Sequence, residues 1–190
     1  YTIFPQWEIH GEVSYRPRET IVLAGSDGSL VSKQRDDIFQ SVIGTRYLAP
    51  FNATFFLEYL YNGAGLKRHE ADTWYSAADS VLENGDSAAI KRFLSIWNEN
   101  ISGQYVMNQY LYFKVQYPEP FNLLYVTPSV YSLFNIIDKS FMAGFTLNYT
   151  RFAAIELYLK CIGMYGRDAK TEFGSKSGMM RFEGAVRYYF

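Results

Sequence analysis

Cysteine, histidine and long apolar runs are scarce in this chain of 190 residues. The single cysteine, Cys161, excludes an internal disulfide and a cysteine-rich structural zinc site. No apolar stretch approaches the roughly 18 residues that a membrane-spanning helix needs, which excludes a helical membrane protein. Neither sign of charge is in excess, because 18 Lys and Arg face 19 Asp and Glu. This balance argues against a nucleic-acid-binding surface.

Aromatic residues are abundant, since 17 Tyr, 15 Phe and 3 Trp make up 18% of the chain. Hydrophobic residues reach 48%, which is enough to bury a large surface, so disorder is not expected. The chain begins at Tyr1 without a charged and then apolar leader. We therefore expect either a mature, processed product or a piece of something longer.

The dominant pattern is an alternation of apolar and polar residues with a period of two, which is typical of strands. In the clearest segment, Phe141, Phe145 and Leu147 point to one face, whereas Thr146 and Asn148 point to the other. The pattern predicts eight antiparallel strands, over residues 7–15, 39–47, 55–61, 107–116, 123–134, 141–150, 155–165 and 180–190.

The predicted links between these strands alternate in length. Three are short (49–52, 117–122 and 150–152), three are long (16–37, 62–104 and 166–178), and the short link 135–139 is an exception. Short turns on one side and long loops on the other are typical of outer-membrane β-barrels. The links therefore favour an all-β, antiparallel transmembrane barrel over residues 1–190.

The polar faces of the strands carry charges of both signs, whereas the other faces are large and apolar. A soluble β-sandwich also has alternating strands, but it must keep its outer face polar. We therefore interpret the charged face as the lining of a hydrated lumen. The predicted lining residues are Glu8, His10, Glu12, Arg46, Glu58, Lys114, Glu156, Lys160, Arg181, Glu183 and Arg187.

The 62–104 link has helical character, and the spacing of its apolar residues predicts a helical insert over 66–100. In a barrel loop, such an insert either folds into the lumen, caps the mouth or stiffens the rim. As a hypothesis, it restricts the pore through Trp74, Phe93 and Trp97.

No motif in the sequence indicates catalysis or a bound metal. His10 lies between Glu8 and Glu12 on one strand face, which is a weak ligand set and favours a hydrogen-bond network. The Lys67-Arg68-His69 cluster either contacts anionic lipopolysaccharide or is simply solvated. Nucleophile elbows, phosphate loops and zinc-helix motifs are absent, so we predict no enzyme activity, no cofactor and no metal. A weaker alternative is a barrel enzyme, which would require a Ser or Asp beside His10 or His69.

The last ten residues, Arg181-Phe-Glu-Gly-Ala-Val-Arg-Tyr-Tyr-Phe190, resemble the terminal strand of Gram-negative outer-membrane barrels. The residues that match are Phe182, Val186, Tyr188 and Phe190, while Gly184 departs from the pattern. This resemblance implies a bacterial outer-membrane location and recognition by the barrel-assembly machinery. The other implied partners are outer-membrane lipid, lipopolysaccharide and small polar solutes.

Shorter fragments resemble the C-terminal part of larger, poorly characterised porin-like proteins. They include Trp7-Glu-Ile-His-Gly-Glu12, Phe55-Phe-Leu-Glu-Tyr59 and Pro118-Glu-Pro-Phe121. The chain is then either the last eight strands of a larger barrel or a complete eight-stranded barrel with a filled interior. We predict a porin-like channel for passive passage of small polar solutes. The alternative is a closed structural or partner-binding barrel that uses its extracellular loops.

Overall fold

A computed structural model describes residues 2–25, 29–84, 87–100, 106–152 and 154–189. The fold is all-β apart from two helices and two short helical turns. The strands are β1 (Thr2–Phe4), β2 (Trp7–Ala24), β3 (Leu30–Leu48), β4 (Thr54–Asn62), β5 (Gln109–Gln116), β6 (Val126–Asn135), β7 (Phe141–Phe152), β8 (Ile155–Tyr165) and β9 (Met180–Tyr188). The helices are α1 (Arg68–Asn84) and α2 (Ser87–Asn100).

The strands form one antiparallel sheet in which each strand neighbours the next along the chain, from β1 to β9. The eight predicted strands correspond to β2 to β9, and β1 adds a segment of three residues. Within the described residues no pairing joins β1 to β9, so the sheet is open. The predicted antiparallel all-β sheet with a helical insert is therefore confirmed, and its closure into a barrel stays a prediction.

The chain divides into two compact units. The first unit comprises Tyr1–Gly11, Val42–Tyr59 and Leu111–Phe190, and the second comprises Glu12–Ser41 and Leu60–Tyr110. No helix among the described residues is long and apolar enough to cross a lipid bilayer.

The prediction of a long link over 16–37 is wrong. Strand β2 continues to Ala24 and β3 begins at Leu30, so most of this region is a β-hairpin. Every side chain from Glu12 to Arg18 is exposed, on both faces of the strand. From Arg16 to Ala24 the sequence does not alternate, because its polar residues and Pro17 come first and its apolar residues follow, so the pattern does not predict this part of the strand.

The two helices pack on each other through aromatic side chains. Trp74 of α1 lies 5.6 Å from Phe93 and 6.0 Å from Trp97 of α2, measured between ring centroids. Trp74 and the neighbouring Ala71 and Ala77 are buried. The helical spacing recognised in the sequence therefore reflects a small core between α1 and α2.

The start of α1 is held by Arg35 of β3. The Arg35 guanidinium donates to the carbonyl oxygens of Gly63 and Gly65, at 3.0 and 2.8 Å, and to Glu70 Oε2. Glu70 also accepts the backbone N–H of Lys67 at 2.8 Å, which caps the first turn of the helix. Burial alone raises the pKa of Glu70, but the Lys67 N–H and the Arg35 guanidinium outweigh it and hold the pKa below its usual value.

The segment after β8 docks on the turn between β6 and β7 through buried polar groups. Asp138 accepts hydrogen bonds from the Ser140 N–H and hydroxyl, at 2.9 and 2.6 Å, and from the Glu172 N–H at 2.7 Å. Asn135 donates its amide to Glu172 Oε2 at 2.7 Å. We call these four residues the loop lock. They fix a link of which the sequence pattern predicted only the length.

Candidate functional site

The register of β6 to β9 sorts their side chains into two faces. On one face, Val130, Phe145, Cys161 and Phe182 form a row across the four strands, since they pair in that order. The adjacent row consists of Pro128, Leu147, Leu159 and Gly184. We call this the apolar face.

The opposite face carries hydroxyl, amide and charged groups in equally regular rows. Ser129, Thr146, Lys160 and Glu183 pair across the four strands, and the Ser129 and Thr146 hydroxyls are 2.5 Å apart. Arg181 Nε lies 2.6 Å from Glu183 Oε1, so this carboxylate faces two cations. We call this the charged face.

Large side chains of the apolar face are exposed, unlike those of a packed core. Phe182 is 73% exposed and Leu159 is 56% exposed. On the charged face the exposure varies, from 17% for the side chain of Glu156, which contacts Arg187 at 3.2 Å and Tyr189 at 2.9 Å, to 76% for that of Arg181. A contiguous exposed apolar surface of this kind marks a site of interaction with another apolar phase or partner.

The residues of β2 to β4 predicted to line a lumen also form pairs. Arg46 contacts Glu8 at 2.6 Å, and His10 Nε2 lies 3.3 Å from Glu58 Oε1. Glu12 is exposed on β2. The structure thus brings together four of the predicted positions and leaves Glu12 at the surface.

Lys114 of β5 contacts an aromatic ring. Its ammonium lies 5.4 Å from the ring centroid of Phe56 on β4, which is a cation–π geometry.

The aromatic residues of the insert contact each other. Trp74 is fully buried, and Phe93 and Trp97 are 6.1 Å apart at their ring centroids. The Trp74 Nε1 donor has no hydrogen-bond acceptor within the described part of the chain. These side chains stabilise the pair of helices, and the restriction of a pore by the insert stays a prediction.

The predicted assembly residues lie on one edge strand. Phe182, Val186 and Tyr188 are exposed on the same face of β9, whereas Phe190 lies outside the described residues. Lys67, Arg68 and His69 are exposed at the start of α1, and Arg68 contacts Asp72 at 3.1 Å. Contact of this cluster with lipopolysaccharide stays a prediction.

The described ranges contain no group of three His, Cys, Asp or Glu side chains arranged to hold a metal ion. The trio Glu8, His10 and Glu12 is divided, because Glu8 contacts Arg46 and His10 contacts Glu58.

Sequence reasoning missed two glycines, Gly144 on the charged face and Gly44 of β3, that leave room for neighbouring side chains. A Cβ built at Gly144 would lie 2.3 Å from the Tyr131 ring, and one at Gly44 would lie 2.7 Å from both His10 and Glu58. It also missed Arg35, which reads as an ordinary surface charge. The only available signal was a glycine within an alternating strand, which indicates close approach of another group.

Comparisons of the chain with protein-family models, with curated proteins and with solved structures found no match.

Proposed function

We propose that this chain forms the wall of a transmembrane antiparallel β-barrel in a bacterial outer membrane and allows passive passage of small polar solutes. The apolar face of β6 to β9 contacts lipid, and the charged face lines a water-filled lumen. The observation that carries this proposal is the exposure of the apolar face, where Phe182, Val186 and Leu159 are all more than half exposed.

The energetic reason is the cost of apolar surface in water. Each exposed Å² of apolar area costs about 25 cal/mol relative to an apolar surrounding, so a continuous face of large side chains is stabilised by lipid. A bilayer also requires that backbone groups be paired. The proposal therefore requires partners for the edges at β1 and β9, either each other or further strands.

The charged face suits contact with water and polar solutes. Lys160 and Glu183 pair across β8 and β9, and Arg181 from the adjacent row contacts Glu183, so charges of both signs meet on this face. Charges of both signs orient polar solutes without strong selection of one ion.

The orientation of the faces is testable with the single native thiol. Cys161 lies on the apolar face, and Lys160 precedes it on the charged face. In lipid vesicles we expect a charged, water-soluble maleimide to spare Cys161 and to label Lys160→Cys in a Cys161→Ser background. Equal labelling of the two positions would contradict a lipid-facing apolar surface.

The channel activity is testable in planar lipid bilayers with the purified protein. We expect stepwise conductance in potassium chloride, with both cations and anions permeant. The absence of conductance from protein that has inserted, as shown by the labelling test, would contradict a channel.

A closed barrel is the second candidate, and ion pairs among the predicted lining residues favour it. Glu8 pairs with Arg46 between β2 and β3, and Glu156 pairs with Arg187 on the charged face, so these charges partly neutralise each other. A packed interior predicts insertion without conductance, and the extracellular loops would then bind the partner. The bilayer recording distinguishes the two candidates.

A further inference from the structure

His10 and Glu58 are in contact although their strands are not neighbours. His10 belongs to β2 and Glu58 to β4, and β3 lies between them in the sheet order. The two side chains nevertheless reach 3.3 Å between Nε2 and Oε1.

Gly44 of β3 makes this contact possible. A Cβ at position 44 would lie 2.7 Å from His10 Nε2 and 2.7 Å from Glu58 Cγ, closer than real contacts allow. Because Gly44 has no side chain, the space above β3 is free, and the side chains of His10 and Glu58 contact each other there. The pair is partly accessible, since the side chains are 36% and 27% exposed.

The charges that surround this pair come from each neighbouring strand. Along β2, Glu8 and Glu12 alternate with His10, and Glu8 contacts Arg46 of β3. On the β5 side, Lys114 lies over the Phe56 ring, and Phe56 is two residues before Glu58 on β4. Strand β1 contributes only Thr, Ile and Phe, none of which is ionisable.

We propose that Glu58 and His10 together set the ion selectivity of the channel and make it respond to protons; this inference rests on the proposed channel function. With a neutral imidazole the pair carries one negative charge, which favours cations. Protonation of the imidazole cancels that charge. Histidine ordinarily titrates near pH 6.5, whereas carboxylates, lysines and arginines keep their charges between pH 8 and pH 5.

The test measures reversal potentials across planar bilayers in asymmetric potassium chloride, at pH 8 and pH 5. For the native protein we expect the ratio of potassium to chloride permeability to fall about two-fold between pH 8 and pH 5, as one unit charge nearby is removed. In His10→Asn the ratio stays at its high value at both pH values. In Glu58→Gln it is low at pH 8 and lower at pH 5.

The second histidine provides a matched control. His69 is exposed on α1, so His69→Asn is expected to keep the native response to pH. A response that survives in His10→Asn, or one that disappears in His69→Asn, would overturn the inference while leaving the channel intact. A complete lack of conductance in the native protein would overturn the proposed function itself.

Nuclear magnetic resonance adds a readout that does not depend on conductance. The chain has two histidines, so His10→Asn assigns the imidazole resonances. If the pair exists, Glu58→Gln shifts the imidazole resonances of His10 and leaves those of His69 in place. Unchanged His10 resonances in Glu58→Gln would refute the pairing on which the inference depends.

Discussion

Strands β6 to β9 and the hairpin within Glu12–Ser41 use the same antiparallel ladder, yet they distribute their side chains differently. In β6 to β9 the faces are distinct, with Leu159 and Phe182 on one side and Lys160 and Glu183 on the other. In the hairpin, both faces of the stretch from Glu12 to Arg18 are exposed, and Arg18 lies 3.8 Å from Asp36. Under the proposed function β6 to β9 separate lipid from water and need two kinds of face, whereas a strand in one medium does not.

Placing the same charge in both regions tests most directly whether their surroundings differ. Leu159 and Val31 are 56% and 57% exposed, so the two apolar side chains are matched in accessibility. If β8 faces lipid, Leu159→Arg should lower the free energy of unfolding in lipid vesicles by about 2–4 kcal/mol. Val31→Arg should change it by less than about 0.5 kcal/mol, since a surface substitution in water costs little.

Both changes in unfolding free energy can be measured by chemical denaturation of the protein in vesicles. The folded fraction is read from gel electrophoresis without boiling, in which folded and unfolded protein migrate differently. Similar small effects at the two positions would mean that both regions lie in water. Similar large effects would mean that the hairpin also contacts lipid, and the distinction between the regions would then disappear.

The comparison also explains what the sequence could predict. The strands of β6 to β9 are predictable because their polar and apolar residues alternate with a period of two, as in Leu159 and Lys160. The outer part of the β2–β3 hairpin is missed because its residues do not alternate: in β2 the polar residues and Pro of 16–20 come first, and the apolar residues of 21–24 follow. Strands can therefore pair through their backbones without leaving a period of two in the sequence.

The charged face was predicted as a set of residue types, but its contacts were not. Alternation places Glu58 and His10 on polar faces, yet their contact depends on the strand order and on Gly44. The sequence pattern does not single out Asp138 and Glu172, which are buried and held by hydrogen bonds from Ser140, the Glu172 N–H and Asn135. Long-range contacts of this kind depend on register, which a single sequence does not specify.

The loop lock should control how often the 166–178 segment opens, since it holds this segment against the turn between β6 and β7. Asp138→Ala removes the acceptor of the buried Ser140 and Glu172 N–H groups. Unsatisfied buried donors should lower the free energy of opening of the 166–178 segment by about 2 kcal/mol. Trypsin should then cleave roughly thirty-fold faster at the exposed Arg167 and Lys170, since about 1.4 kcal/mol corresponds to a factor of ten when local opening limits cleavage.

Asp168→Ala is the control within the same link. Asp168 is exposed, and its carboxylate accepts a local hydrogen bond from the Lys170 N–H at 2.8 Å. Its replacement should leave the cleavage rate within a factor of about three. Equal acceleration in both variants would show that the loop lock does not hold the segment.

The smallest expected effect concerns the link that follows β4, which is held by the ion pair of Arg35 and Glu70. Arg35 and the Lys67 N–H hold the pKa of Glu70 below its ordinary value of 4.5. Because the folded state favours the ionised carboxylate, its contribution is complete above about pH 4.5 and is lost as the pH falls through the lowered pKa. Glu70→Gln should cost the helical pair about 1 kcal/mol at pH 7, similar to the loss of a helix cap.

The stability of the helical pair can be followed by tryptophan fluorescence in a Trp7→Phe background. The remaining tryptophans, Trp74 and Trp97, both lie between α1 and α2. The stability of the native pair should decline below pH 4.5, whereas that of Glu70→Gln should decline less. Glu83→Gln changes an exposed carboxylate on the same helix and should keep the native decline. If the stability of Glu70→Gln declined below pH 4.5 as much as that of the native protein, the acid sensitivity would arise from another group. The attachment of α1 to β3 would then depend on the Arg35 contacts to Gly63 and Gly65 alone. The helical pair would then resemble the loop lock, in which hydrogen bonds to backbone groups fix the link.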